Sequence, residues 1–237
     1  MGKAASLLVL VRHGESARNI ARQGRVFYAS AAERDALKGM PDEVTPLTEE
    51  GLRQAERTGR YLATRFGAFD ALYHSGYVRT VDTSEAILGA YAGSGPPRVV
   101  RRDLFLRERD PGHAFEMTEA EVREFFPWLD DYWNRTGPFF ARPPGGESVA
   151  QVCERVQLFL DRLARDHAGE RVLVVTHARV IQSFRFLLED WDIHTVERGL
   201  RGSPANASVT AYAHTEGYEG YTLVETIQRP GTDDPER

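Results

Sequence analysis

The order of apolar segments predicts an α/β protein: a three-layer α/β/α sandwich around a mostly parallel sheet. Two unbroken aliphatic runs, residues 7–11 and 172–175, have the pattern of strands buried on both faces. Segments with helical spacing lie between and after them, so strands alternate with helices, the order that favours parallel pairing.

The elements follow in chain order. After the strand at 7–11, Thr48 is a natural N-cap for a helix whose stripe is Leu52, Ala55, Leu62 and Phe66, ended by Gly67. Residues 71–73 form a short strand, and residues 83–92 read as a helix closed by the Gly/Pro breaker at 93–97. Residues 99–100 are another short strand. Ser148 and Gln151 have capping-box spacing, and Val149, Val152, Val156, Phe159, Leu160 and Leu163 make the apolar face of the helix that follows. The strand at 172–175 is followed by a helix carrying Val180, Ile181, Phe184, Leu187 and Leu188. Residues 208–213 and 221–227 are late strands.

The 237 residues suit a single domain over 1–228 with a polar, flexible tail at 229–237. Residues 113–146 hold eight of the chain's 24 aromatics and read as an insertion with its own apolar cluster, placed to cover a site. There Phe125, Trp128, Leu129 and Tyr132 fall at helical spacing and are expected to pack the insertion onto the core. Phe139 and Phe140, ahead of a Pro/Gly turn, are expected to reach substrate and to favour aryl leaving groups.

A formal charge of −5 gives no basic footprint for nucleic acid. No apolar run approaches the roughly 20 residues needed to span a bilayer, so no membrane partner is expected. Met1-Gly2 matches a loose myristoylation pattern, and residues 7–11 behind Lys3 faintly resemble a signal peptide. The run is short and ends at Arg12-His13 without a cleavage site, so a buried strand explains it better and a cytoplasmic location is expected. Cys153, the one cysteine, excludes an internal disulfide and lies on a helix's apolar face. Oligomeric state is open, with a homodimer one option.

Open α/β sheets place their sites at the carboxyl ends of strands. Two strands here end in histidine, at Arg12-His13-Gly14 and at Thr176-His177. Phosphate-loop, dinucleotide-loop, zinc-helix and nucleophile-elbow motifs are absent, and the histidines are too scattered to suggest a metal site.

Arg12-His13-Gly14-Glu15-Ser16 resembles the signature of the histidine phosphatase superfamily, in its phosphoglycerate-mutase-like branch. The resemblance runs to about Ser208. Asn19 sits where the branch has Asn. Leu47-Thr48-Glu49-Glu50-Gly51 and Gln54-Ala55 are similar to its L-T-x-x-G-x-x-Q-A helix start. Residues 75–84 resemble its S-x-x-x-R-x-x-x-T-A segment, with Arg79 as the second phosphate arginine. Leu106-Arg107-Glu108, Gly146-Glu147-Ser148, Thr176-His177 and Asn206-Ala207-Ser208 match the acid segment, a helix start, the second histidine and the late N-x-S.

The sequence departs from the family at several points. Gly76 replaces proline, Asp82 replaces glutamine, and Ala178-Arg179 follows His177 where glycine is usual, adding a cation beside the pocket. Residues 20–46 are longer than the mutase connection, and the mutases' R-x-Y-G-x-L-x-G stretch has no counterpart at 107–112.

The resemblance implies a phosphatase that uses no cofactor or metal, acts on a small phosphomonoester and passes through a phosphohistidine. The rivals are a mutase sharing that intermediate and a non-catalytic phospho-ligand-binding protein. Its residues suit the chemistry. Arg12 and Arg79 can clamp phosphoryl oxygens bidentately, and His177 and Asn19 can add hydrogen bonds. His13 is the nucleophile, and Glu108 supplies and then removes the proton.

Overall fold

The computed structural model describes residues 4–91, 95–214 and 220–231. The chain opens with β1 (Leu7–Arg12), followed by short helices α1 (Ala17–Arg22) and α2 (Ala31–Asp35) and then α3 (Glu49–Arg65). Next come β2 (Ala71–His74), α4 (Val78–Gly89) and β3 (Val99–Arg102). The insertion carries α5 (Glu119–Phe125) and α6 (Leu129–Thr136). The remainder is α7 (Val149–Asp166), β4 (Arg171–Thr176), α8 (Ala178–Leu188), α9 (Ile193–Leu200), β5 (Val209–Ala213) and β6 (Thr222–Ile227).

The sheet is mixed and mostly parallel, in the order β3-β2-β4-β1-β5-β6. The first four strands of that order pair in parallel, while β5 pairs antiparallel with both β1 and β6. Alternation along β1 divides the core. Leu8 and Leu10 face Val156, Phe159 and Leu163 of α7 and Ile181 and Phe184 of α8. Leu7, Val9 and Val11 face the other layer, with Leu62 of α3 and Ile87 of α4. β1 is thus covered on both sides, as its uniform apolarity predicts. Among the described residues no helix is long and apolar enough to cross a membrane.

Four expectations are corrected. α4 starts at Val78 rather than at residue 83, and the expected end at 92 lies outside the described residues. Its first turns bury Arg79, Thr80, Thr83 and Ser84, polar residues that hide the helical stripe. Thr80, Thr83 and Ser84 turn their hydroxyls onto carbonyls one turn back. Leu52 is exposed; the packed stripe of α3 is Gly51, Ala55, Thr58, Gly59 and Leu62, small enough for α4 to lie close. In the insertion Leu129 and Val122 are buried around Ala114 with Tyr132 packed against them, while Phe125 and Trp128 are exposed. Phe139 is not a free loop side chain either. It is buried with Val149, Cys153, Val196 and Leu200, and Phe140 stands exposed against its edge.

The chain is docked up to the beginning of the expected tail. Gln228 Oε1 accepts from the Ala205 amide at 2.9 Å and Pro230 is buried; residues 232–237 lie outside the described residues. At the other end Ala5 is fully buried in the core, and residues 1–3 lie outside the described residues.

Candidate active site

β1 and β4 are register neighbours, Arg12 opposite Thr176, so their carboxyl ends deliver His13 and His177 side by side. The His13 amide donates to the Thr176 carbonyl at 3.0 Å, and the two rings meet edge to face with centroids 5.2 Å apart. They are 3% and 0% exposed, so neither can be a solvated surface imidazole.

His13 Nδ1 lies 2.7 Å from the Gly14 carbonyl oxygen. A carbonyl only accepts, so Nδ1 carries the proton and Nε2 keeps a free lone pair. Burial, then the charges of Arg79 and Arg12, hold this ring's pKa well below the usual 6.5. His177 is pushed the same way by burial, then by Arg79, His13 and Arg12. Its Nε2 is bonded to Ser75 Oγ at 2.8 Å, and its Nδ1 is buried without a partner among the described residues.

The loop carrying His13 is tightly held. Asn206 Nδ2 donates to the carbonyls of His13 and Gly14 and to Asn19 Oδ1. Thr83 Oγ1 accepts from the Gly14 amide at 3.0 Å, and Gln54 Oε1 accepts from the Glu15 amide at 3.0 Å. Gly14 and Gly51 touch backbone to backbone. A Cβ on either would overlap a carbonyl oxygen, of Gly51 or of Glu15 respectively. Ala207, which closes the loop by donating its amide to the His13 carbonyl, sits at φ +57°, strained for a residue with a Cβ. Gly76, where the family has proline, has φ +86°, a conformation proline cannot adopt.

The expected phosphate ligands all lie around this pair, but they are not idle. One Arg12 Nη1 donates to the Pro204 carbonyl and to Ser203 Oγ. Burial lowers the Arg12 pKa to about 10, with Glu108 acting against that fall. Arg79 is 4% exposed and engaged in a fork by Asp42, through its carbonyl at 2.6 Å and its carboxylate at 2.9 Å. Asp42 also pairs with the buried Arg18 at 3.5 Å. Asn19 Oδ1 accepts from the amide and hydroxyl of Ser16, completing the N-terminal cap of α1; its first visible role is to shape the loop.

Glu108 follows a short 3-10 turn, Leu104–Leu106, and is half-buried, with Oε1 accepting from the Arg109 amide at 2.8 Å. Glu147 braces this segment. Its carboxylate takes Arg107, Arg155 and the Asp110 amide, and its own amide donates to the Asp110 carbonyl. Glu108 is the carboxylate whose field reaches Arg12, Arg109 and Arg179 together. Sequence reasoning had not assigned roles to Asp42, Ser75, Glu147 and Asn206. The last three stand in quoted motifs, whereas nothing in the sequence singles out Asp42. No group of three or more metal-ligating side chains occurs among the described residues.

Two buried histidines thus stand on adjacent strand ends, with two arginines and a carboxylate around them, in a fold that a family profile identifies. The profile of the histidine phosphatase superfamily, branch 1, matches residues 8–226, and the chain belongs to this family. Among curated relatives, 2,3-bisphosphoglycerate-dependent phosphoglycerate mutase of Rhizobium etli is 35% identical over 188 residues, 76% of this chain and 78% of that protein. The enzyme of the same name from Parvibaculum lavamentivorans is 30% identical, covering 78% and 80%. Among solved structures, the α-ribazole phosphatase of Shigella flexneri aligns with TM-score 0.71 at 20% identity over 96% of this chain and all of that one. A mycobacterial glucosyl-3-phosphoglycerate phosphatase aligns with TM-score 0.67 at 24% identity over 93% and 97%. At those identities the structural likeness establishes the fold alone.

Proposed function

We propose that the chain is a metal-independent phosphomonoesterase working through a phosphohistidine. The observation that carries the reading is the state of His13: a buried imidazole with its proton fixed on Nδ1, a free Nε2, and two arginines beside it. Such a nitrogen is a nucleophile at neutral pH without prior deprotonation.

In the first half, Nε2 attacks phosphorus and the ester P–O bond breaks. Glu108, protonated, gives its proton to the leaving oxygen. Arg12, Arg79 and His177 Nδ1 hold the equatorial oxygens, with Arg79 exchanging Asp42 for the phosphoryl group. In the second half, water loses a proton to Glu108 and attacks, the P–N bond breaks, and inorganic phosphate leaves. Both residues return to their starting states.

The test is trapping of acid-labile phosphate on the protein, expected on the wild type and absent from His13→Ala, which should be inactive. Turnover by His13→Ala would refute the mechanism.

A mutase sharing the intermediate is the second reading, favoured by relatives 30–35% identical. Hydrolysis is supported by residues 107–112, which lack the mutase stretch. With 3-phosphoglycerate, phosphate release is expected; efficient formation of 2-phosphoglycerate would make the mutase reading correct.

A further inference from the structure

One residue holds Arg79 in two ways. Arg79 Nη1 donates to the Asp42 carbonyl at 2.6 Å, and Nη2 donates to the Asp42 carboxylate at 2.9 Å. The carbonyl belongs to the backbone of the 3-10 turn Asp42–Val44 and can stay in place when the side chain moves. The carboxylate bond is the exchangeable one.

That carboxylate does not rest on Arg79 alone. Its Oδ2 sits on Arg79 while its Oδ1 lies 3.5 Å from Arg18 Nε, so it straddles two cations. The side chains of Arg18 and Arg79 are 6% and 5% exposed. Arg18 also grips the chain on both sides of Asp42. Its Nη2 donates to the Met40 carbonyl at 2.8 Å and its Nε to Thr45 Oγ1 at 3.4 Å. Nη1 donates to the Tyr28 hydroxyl, and the Phe115 ring covers the guanidinium at 4.3 Å. Arg18 is thus fixed beneath the turn. Its two Nε contacts are longer than the roughly 2.7–2.9 Å of a full charged pair, which leaves room for the carboxylate to close on it.

This arrangement matters when phosphate has to leave. A dianion lifted off a buried guanidinium strands a charge away from water, and that cost is a barrier to release. A carboxylate held on the neighbouring cation lowers the barrier, because it takes Arg79 Nη2 as the phosphoryl oxygen lets go. With phosphate bound, the carboxylate closes on Arg18. With the pocket empty, it returns to Arg79. Both buried arginines keep an anionic partner in either state. Asp42 lies within residues 20–46, the stretch longer than the mutase connection, so the carboxylate belongs to a loop of this chain's own.

We infer that Asp42 is a product-displacing residue, a carboxylate that moves between Arg18 and Arg79 and drives inorganic phosphate out of the pocket. This rests on the phosphomonoesterase reading above. No covalent bond changes in the step; Arg79 exchanges one oxyanion for another.

The experiment measures both rate constants for inorganic phosphate with the full chain. Protein loaded with phosphate is mixed in a stopped-flow cell with an excess of a fluorescent phosphate sensor, which reads dissociation; the equilibrium constant then gives association. In Asp42→Asn dissociation should slow by about tenfold, the effect of one charge-assisted hydrogen bond, while association changes by less than about threefold. Tighter binding that arises wholly from faster association would show that Asp42 only blocks entry, and would overturn the inference. Arg18→Gln removes the resting place, so dissociation should quicken by about threefold or more, and the same substitution in the Asp42→Asn background should leave it unchanged. An equal change in both backgrounds would make Arg18 a support for the pocket and overturn the exchange. If Arg18→Gln does not fold, the Asp42→Asn rates decide alone. Phosphate exchange that behaves as expected in a protein without phosphomonoester turnover would refute the phosphatase reading and leave the displacement standing. A wild type that binds no phosphate would refute both.

Discussion

At the residue scale the site depends on where protons sit. In the proposed mechanism Glu108 moves protons, and it makes none of the described contacts that place Arg12, Arg79 or His177. Glu108→Gln should therefore lower kcat by about 10²–10⁴ while competitive inhibition by vanadate changes less than about threefold. Loss of vanadate binding in parallel with kcat would make Glu108 a phosphate ligand instead. The two buried histidines also govern stability. Both are neutral in the fold, with pKa values held well below 6.5, whereas in the unfolded chain they protonate near 6.5. Below that pH the unfolded state binds more protons, so stability is full above about 6.5 and falls as pH drops toward the native values. The slope is at most about 1.4 kcal/mol per pH unit for each ring. Urea midpoints at pH 7.5 and 5 should differ in that sense, and His13→Ala should reduce the difference. An equal acid loss in the variant would assign it to other groups.

At the element scale, the close approach of α3 to the loop after β1 carries geometry into the site. Gly51 begins the buried stripe of α3, against the Glu15 carbonyl. Gly51→Ala must push the helix start away from Gly14, at a cost of about 1–3 kcal/mol. Thermal unfolding should record that loss together with reduced kcat, because Gln54 and Thr48 on the same helix bond Glu15. An unchanged midpoint would mean that the loop yields without strain. The 3-10 turn Asp42–Val44 acts in the opposite direction, placing a carboxylate on Arg79 where the proposed mechanism puts a phosphoryl oxygen. Asp42→Asn removes that competing charge, and inhibition by inorganic phosphate should tighten by roughly tenfold, about 1.4 kcal/mol. Weaker inhibition in the variant would instead make Asp42 a support that orients Arg79.

At the scale of the whole molecule, one sheet gathers groups from the start, middle and end of the chain. A ligand bridging Arg12, Arg79 and His177 ties β1, α4 and β4 together, so binding should raise global stability. Vanadate at 100 times its Kd should add about 2.7 kcal/mol, a rise in Tm of roughly 5–10 °C for a chain of this size. Excess EDTA should leave both Tm and turnover unchanged. A Tm indifferent to vanadate would place the oxyanion elsewhere, and activity lost in EDTA and restored by a divalent ion would refute the metal-independent reading.

The strands and the long helices α3, α7 and α8 were readable because burial on one or both faces dictates apolar spacing, and burial is their main stabilising term. The two histidines were readable because each directly follows such a strand. The start of α4 was not readable, since Thr80, Thr83 and Ser84 are buried through hydrogen bonds rather than apolar contact. Nor was the burial of Phe139, which depends on Val196 and Leu200 of α9, far along the chain, arriving to enclose it. Composition and local spacing thus determined the layers of the fold and the ends of the strands that hold the histidines. Only the tertiary structure decided which tautomer His13 takes, that Asp42 answers Arg79, and that His177 Nδ1 is buried without a partner among the described residues. The tautomer depends on how the backbone turns at Gly14, and the Asp42 contact on a group brought to Arg79 across the fold; local sequence periodicity carries no record of either.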